Sequence, residues 1–147
     1  MAYNAGEIPK AADLGHPKAM GKMADNYLNS ECGFPQNLNK AFEFAAKAAR
    51  EGDSLGQFIL ARCYHEGHGV DKNYKQAVSY FQKASDLGII EASFLLGKMI
   101  CKGECGGGIE GRGAEGMTLI GKAYDQGDKN AIALFDAFLL PGLRILG

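Results

Sequence analysis

The stretch Ser54–Ile89, SLGQFILARCYHEGHGVDKNYKQAVSYFQKASDLGI, decides the fold, because its pattern predicts a helix, a loop and a second helix. The second helix carries apolar residues at i, i+3, i+4 and i+7, which is one face of a helix. These residues are Ala77, Tyr80, Phe81 and Ala84. Asp71 is the predicted N-cap, and Gly88 stands where a left-handed residue ends a helix. The stretch therefore predicts a hairpin of helices at 54–66 and 73–87.

Residues of the same type return on both sides of this stretch, about 36 positions away. Tyr27 corresponds to Tyr64, and Gly52 corresponds to Gly88. Differences in length between the copies fall in the loops, where insertions cost little free energy. One hairpin cannot bury its apolar face alone, so stacked copies share a continuous core. We therefore expect an all-α fold, a right-handed α-solenoid of stacked antiparallel helix hairpins.

The repeat pattern divides the chain into five segments within one structural domain. They are a partial repeat at 1–15, three copies at 16–53, 54–89 and 90–128, and a partial repeat at 129–147. Further helices are predicted near 17–29, 37–51, 90–102 and 114–126. Pro9 limits the first segment to a short helix, and Pro141-Gly142 ends a helix that begins at Lys129.

The C-terminal residues Leu143, Ile145 and Leu146 are apolar, and two interpretations of them stay open. A terminal repeat must cover the open core of its neighbour, which favours a C-terminal cap. An exposed apolar tail would instead bind a second copy of the chain or another protein.

The residues Leu60–Gly88 follow the pattern LA..Y..G.GV.....QA..Y..KA...G, which resembles the Sel-1-like repeat, a relative of the tetratricopeptide repeat with a slightly longer period. The resemblance covers roughly residues 16–128. The family's Trp or Tyr position of the second helix holds Phe44, Tyr80 and Leu119. Gly116 stands where a helix-favouring alanine is expected. The resemblance implies an α-solenoid that acts as an adaptor or scaffold for protein complexes, with no shared catalytic residues.

The composition excludes several classes of protein. A chain of 147 residues with a net charge of −1 has one domain's length and no broad attraction to nucleic acid or anionic membranes. No apolar run reaches the roughly 18 residues of a membrane span. The first residues lack the pattern of a secretory signal. We therefore expect a cytoplasmic protein that binds neither nucleic acid nor membrane.

The cysteines of the chain are Cys32, Cys63, Cys101 and Cys105. They follow no regular pairing pattern. A Cys-rich branch of the Sel-1-like family joins the first and second helices by a disulfide, but the matching positions here are Gly56 and Ala84. Free thiols in a reducing compartment are therefore expected.

The predicted partner-binding surface is a stripe along the first helices, which line the concave side of stacked hairpins. At about 100° per residue, Phe58, Arg62 and His65 share the arc opposite the buried residues. The predicted site residues are Asp25, Asn29, Phe58, Arg62, His65, Phe94, Lys98, Cys101 and Lys102. Aromatic and cationic anchors are typical of interface hot spots and suit a partner segment with apolar and acidic groups. In the alternative interpretation, both phenylalanine rings are core.

Two nucleotide-binding motifs are only partly present. Gly111–Gly116 matches G-x-G-x-x-G but follows no strand, and Gly116–Ala123 lacks the Ser or Thr of a phosphate-binding loop. No Ser-His-Asp or Cys-His arrangement is visible in the sequence. We therefore expect no catalysis, no cofactor and no bound metal.

Two further hypotheses stay open. One is a dedicated immunity or regulatory protein that neutralises a single partner enzyme. The other is a metal- or redox-responsive module, because equivalent loops of neighbouring repeats lie side by side. Its ligands would be His65, His68, Cys101 and Cys105.

Overall fold

The computed structural model describes residues 7–30, 33, 35–104 and 113–143. The chain divides into two compact units, Met1–Ile89 and Ile90–Gly147. All regular structure in the described residues is helical, which confirms the predicted all-α fold. None of the helices in those residues combines the length and the apolar character that crossing a membrane requires. The division into five repeat segments stays a prediction.

The described part of the first unit contains five helices. They are α1 (Glu7–Asp13), α2 (Pro17–Asn29), α3 (Leu38–Arg50), α4 (Ser54–Glu66) and α5 (Tyr74–Asp86). Helix α2 pairs with α3 and helix α4 pairs with α5, and α3 also packs against α4. The predicted bounds of α2 and α4 agree with the structure, and α1 is the short helix expected around Pro9.

Helices α3, α4 and α5 begin at side chains that accept a hydrogen bond from the first turn. Asn37 accepts a hydrogen bond from the backbone N–H of Lys40 at 3.0 Å, and Asn73 accepts one from Gln76 at 3.1 Å. Such caps satisfy backbone donors that have no partner inside the helix. The prediction that Asp71 caps α5 is wrong, because the loop runs two residues further and Asn73 takes the N-cap position.

Stacked aromatic rings join the two helices of each hairpin in the first unit. The Tyr27 ring of α2 stacks on the Phe44 ring of α3 with centroids 6.0 Å apart. The Tyr64 ring of α4 stacks on the Tyr80 ring of α5 at the same distance, 6.0 Å. The sequence repeat therefore corresponds to a repeated contact between the helices.

The described part of the second unit contains α6 (Ile90–Lys102), α7 (Gly113–Asp125) and α8 (Lys129–Leu143). Helix α7 packs against both α6 and α8. One cluster of buried residues in this unit consists of Phe94, Ile120, Ala123 and Ala131.

Helix α8 includes Pro141 and Gly142, so the prediction that these residues end the helix is wrong. A proline beyond the first turn removes one backbone hydrogen bond from a helix, and α8 continues for only two residues after Pro141. The tail residues Ile145 and Leu146 lie outside the described part of the chain, so both interpretations of the tail stay predictions.

Candidate partner-binding site

Helix α2 presents a polar face to solvent. The residues of this face recur at i, i+4, i+7 and i+11 and are Lys18, Lys22, Asp25 and Asn29. The Asp25 carboxylate accepts a hydrogen bond from the Asn29 amide at 2.7 Å and lies 3.4 Å from the Lys22 ammonium. The predicted residues Asp25 and Asn29 therefore lie together, and the Lys22 ammonium offsets the negative charge of Asp25.

Helix α4 presents Arg62 and Glu66 to solvent, one repeat after Asp25 and Asn29. The Arg62 guanidinium lies 5.9 Å from the centroid of the Phe58 ring. Glu66 was not predicted as a site residue, although it is equivalent to the predicted Asn29. The solvent-facing side of the first helices in this unit therefore carries charges of both signs.

The Phe58 ring does not face outward as predicted, because only 5% of the residue is exposed. It contacts the Phe81 ring of helix α5, with centroids 6.0 Å apart. The His65 ring turns toward the same helix and lies 5.4 Å from the Tyr74 ring. The exposed arc of α4 therefore passes through Arg62 and Glu66 rather than through Phe58, and His65 is half-buried beside it.

The equivalent ring of helix α6, Phe94, is also not exposed as predicted. Only 4% of the residue is exposed, and it belongs to the core of the second unit. The Lys98 ammonium lies 5.4 Å from the centroid of the Phe94 ring. A cation is attracted to the face of an aromatic ring, so each phenylalanine holds a cation of the surface in place from inside the unit.

Next to Lys98, the second unit contains a cavity of about 460 Å³. Its lining residues come from α6, α7 and α8 and are Lys98, Cys101, Lys102, Met117, Ile120, Leu134 and Phe135. Three of the predicted site residues, Lys98, Cys101 and Lys102, therefore meet at one place. The cavity is lined almost entirely by apolar surface.

The charged groups that line the cavity are the two lysine ammonium groups. Within the described residues, neither Lys98 nor Lys102 forms an ion pair. The Cys101 thiol lies 4.0 Å from the carbonyl oxygen of Gly113 and is exposed. An apolar space with a few charged groups at its edge can bind an apolar group that carries a negative charge.

The contributions of α7 and α8 to this cavity do not follow from the predicted stripe. That stripe contains only the outward arcs of the first helices, whereas Met117 and Ile120 belong to a second helix. Leu134 and Phe135 lie on the predicted partial repeat, for which a C-terminal cap is one of the two interpretations. Their apolar character was visible in the sequence, but their position beside Lys98 depends on how α8 packs on α7.

The proposed metal ligands do not form a cluster in the described residues, where no three His, Cys, Asp or Glu side chains could hold an ion together. Cys105 lies outside those residues, and so does Cys32. Burial raises the pKa of the Cys63 thiol to about 12, although the charge of Arg62 opposes this shift. Cys63 is therefore an inert, neutral thiol at physiological pH.

The stretch Gly116–Ala123 lies inside helix α7. A helix cannot surround a phosphate as a glycine-rich loop does. The other nucleotide motif includes Gly111, which lies outside the described residues.

Paired helices with equivalent contacts in successive hairpins define a helical repeat protein. The Sel1 repeat matches residues 17–53 and 54–89, which contain the α2–α3 and α4–α5 hairpins. The chain therefore belongs to the Sel1 repeat proteins, as the pattern in Leu60–Gly88 predicts.

Two solved structures resemble this chain along most of its length. One is c5321, a protective antigen of uropathogenic Escherichia coli with an SLR fold, at a TM-score of 0.75 and 26% identity. That match covers 90% of this chain and 28% of the antigen. The other is a Sel1 repeat protein from Oxalobacter formigenes, at a TM-score of 0.66 and 26% identity, which covers 90% of this chain and 96% of that protein.

Among curated proteins, the chain is similar to chitin synthase regulatory factor 3 of Schizosaccharomyces pombe. The two are 29% identical over 90 residues, which is 61% of this chain and 10% of that protein. The matches to three such relatives span 10%, 34% and 11% of their lengths. The similarity therefore concerns the repeat region and not the whole of any of these three relatives.

Proposed function

We propose that the protein is a non-enzymatic adaptor or scaffold that binds a partner protein through the solvent-facing sides of its first helices, α2, α4 and α6. Sel1 repeat proteins are regulatory or adaptor proteins with protein partners. The observation that carries the proposal is the apolar cavity beside Lys98 and Lys102. An apolar opening of this kind at a protein surface typically marks a binding site.

The proposed surface keeps most of the predicted residues and changes the role of two. Its contact residues are Asp25, Asn29, Arg62, His65, Glu66, Lys98, Cys101 and Lys102. Phe58 and Phe94 support this surface from inside, because their rings lie under Arg62 and Lys98. Charged residues at such a surface increase the specificity and the rate of partner binding more than they increase its affinity.

A dedicated regulator of one enzyme is the second candidate. The name of the fission yeast relative, a regulatory factor of chitin synthase, favours this version of the proposal. An adaptor would appear in assemblies with several proteins, whereas a dedicated regulator would form one tight complex. Mass measurement of the captured complex distinguishes the two.

The test is an affinity pull-down from extract of the native cell, read by mass spectrometry. Wild type is compared with Arg62→Glu and with the double variant Lys98→Glu, Lys102→Glu. The control is Lys75→Glu, which reverses an exposed charge on the second helix α5. We expect wild type and the control to retain the same protein, and at least one of the two surface variants to lose it.

Circular dichroism must show that all variants keep their helix content. If all four proteins retain the same partner equally, the partner binds elsewhere and the proposed surface is wrong. If wild type retains no protein at all, the adaptor function itself is contradicted.

A further inference from the structure

The cavity of the second unit extends from the core to the surface. Ile120 is buried, whereas 51% of Met117 is exposed, and both line the cavity. Its volume of about 460 Å³ lies in the range of roughly 300–1,000 Å³ that small-ligand pockets occupy. One large apolar side chain can therefore enter while the backbone that carries it stays outside.

The charge next to this opening is positive. Lys98 and Lys102 stand four residues apart on α6, so both side chains lie on the same face of the helix. The Lys98 ammonium lies 5.4 Å from the centroid of the Phe94 ring, and within the described residues neither ammonium group forms an ion pair. Charge complementarity therefore favours an occupant with a carboxylate beside its apolar group.

We infer that the cavity receives a large apolar side chain of the partner protein, and that Lys98 and Lys102 bind an acidic residue next to it. The inference rests on the proposed function and names the chemistry of the partner segment. Such a segment combines an apolar anchor with a charged neighbour, as hot spots of protein interfaces often do. Cys101 lines the same cavity, so it is covered when the segment binds.

The first test uses two dyes of similar shape, anilinonaphthalene sulfonate, which is an anion, and phenylnaphthylamine, which is neutral. We expect the double variant Lys98→Gln, Lys102→Gln to bind the anionic dye about five- to tenfold more weakly than wild type, since two favourable charges are lost. Binding of the neutral dye should change less than twofold. The matched control is Lys122→Gln, Lys129→Gln, which removes two exposed charges of the same unit away from the cavity.

A second variant tests the apolar part of the cavity. Met117→Asp places a charge at the exposed edge of the cavity and should abolish the binding of both dyes. Its control is Leu87→Asp, because Leu87 is similarly exposed, at 54%, and lies in the other unit. If Met117→Asp binds both dyes like wild type while it stays folded, the cavity is not the binding site and the inference is wrong.

A peptide selection identifies the kind of occupant. Wild type and the charge-reversed double variant Lys98→Glu, Lys102→Glu are each exposed to a phage-displayed library of random peptides. Peptides selected by wild type should carry an aromatic or large aliphatic residue beside Asp or Glu, and the reversed variant should select Lys or Arg instead. Selected peptides should also protect Cys101 from alkylation.

Three outcomes contradict the inference. One is selection of peptides without acidic residues, and another is dye binding with no peptide selected, which indicates a small molecule as the occupant. In the third, Met117→Asp and the lysine variants retain the native partner in the pull-down. The third result would show that the partner does not bind at the cavity, but it would not contradict the adaptor function. The experiments therefore distinguish failure of this inference from failure of the proposed function.

Discussion

Asn26 lies on helix α2 and is completely buried. Within the described residues, neither the oxygen nor the nitrogen of its side-chain amide has a hydrogen-bond partner. The equivalent residues of the following repeats are Cys63 and Met99, which are buried and apolar. Because an unpaired buried polar group costs about 1–3 kcal/mol, the amide destabilises the first repeat.

Replacing Asn26 by leucine removes both unpaired polar atoms and keeps the number of heavy atoms in the side chain. We expect Asn26→Leu to raise the free energy of unfolding by about 1–2 kcal/mol in urea denaturation. The exposed residue Asn39 provides the control, since Asn39→Leu should change stability by less than about 0.5 kcal/mol. A destabilised Asn26→Leu protein would show that the amide has a role in the fold.

Because the Cys63 thiol is buried, the stability of the folded protein falls as the pH rises in the alkaline range. Its pKa in the folded protein is about 12, raised by burial from the ordinary value of 9.0. The folded protein therefore holds the thiol proton more tightly than the unfolded chain does. This contribution to stability is complete below the ordinary pKa and is lost as the pH rises from there toward the folded pKa.

The variant Cys63→Ala lacks this titration, although it is less stable at neutral pH because it leaves a cavity. We expect wild type to lose about 1.4 kcal/mol more than Cys63→Ala between about pH 8 and about pH 10. Urea denaturation at both pH values measures the difference. Equal losses in the two proteins would mean that Cys63 ionises without unfolding.

Between helices α6 and α7, two glycines allow the backbones to approach closely. A methyl group on Gly97 would lie 2.7 Å from the carbonyl oxygen of Gly116 and 2.7 Å from Cγ1 of Ile120. A methyl group on Gly116 would lie 2.7 Å from the Cys101 sulfur. This contact explains why Gly116 stands where the repeat pattern favours alanine.

Two glycine-to-alanine variants distinguish the effect of this close contact on stability from the effect of helix propensity. Gly97→Ala should lower the free energy of unfolding by about 1–3 kcal/mol, because the methyl group meets backbone that cannot move aside easily. Gly121→Ala, on the same hairpin, faces open space and should raise it by about 0.5–1 kcal/mol. Thermal denaturation of both variants is the measurement, and a stabilised Gly97→Ala protein would contradict the close approach.

The helices themselves could be predicted well from the sequence, but the direction of their side chains could not. The bounds of α2, α4 and α6 follow from the apolar period and from residues that begin or end a helix. Helix α4 is buried along most of its surface, so its apolar pattern does not show which side is exposed. For this reason the sequence pattern predicts an exposed Phe58, although its ring packs against α5.

On the scale of the whole molecule, the repeat determined what the sequence could predict. Equivalent residues in successive hairpins identified the family and placed Lys98, Cys101 and Lys102 on one exposed helix face. The cavity beside them could not be predicted, since it needs the packing of α8 on α7, where the repeat is incomplete. A sequence repeat therefore predicts the contacts that are the same in every hairpin. The candidate site depends on α8, which belongs to the incomplete last repeat.

The metal-responsive hypothesis also concerns the whole chain, because its ligands come from separate repeats. The chain has four cysteines and three histidines. A structural zinc ion requires four ligands in a tetrahedron, and the described residues bring no three such ligands together. The His65 ring lies 5.4 Å from the Tyr74 ring at an interplanar angle of 35°, so its imidazole is directed toward α5.

We therefore expect purified protein to contain well below one zinc ion per chain by plasma mass spectrometry. Its unfolding temperature should not change when EDTA is added, because no folding energy comes from a metal. The variant Cys101→Ser, Cys105→Ser is the comparison. Stoichiometric zinc in wild type and its loss from this variant would contradict the prediction, because Cys105 would then complete a site with Cys101. In that case the metal would bind beside the cavity, and partner binding would have to be measured with and without it.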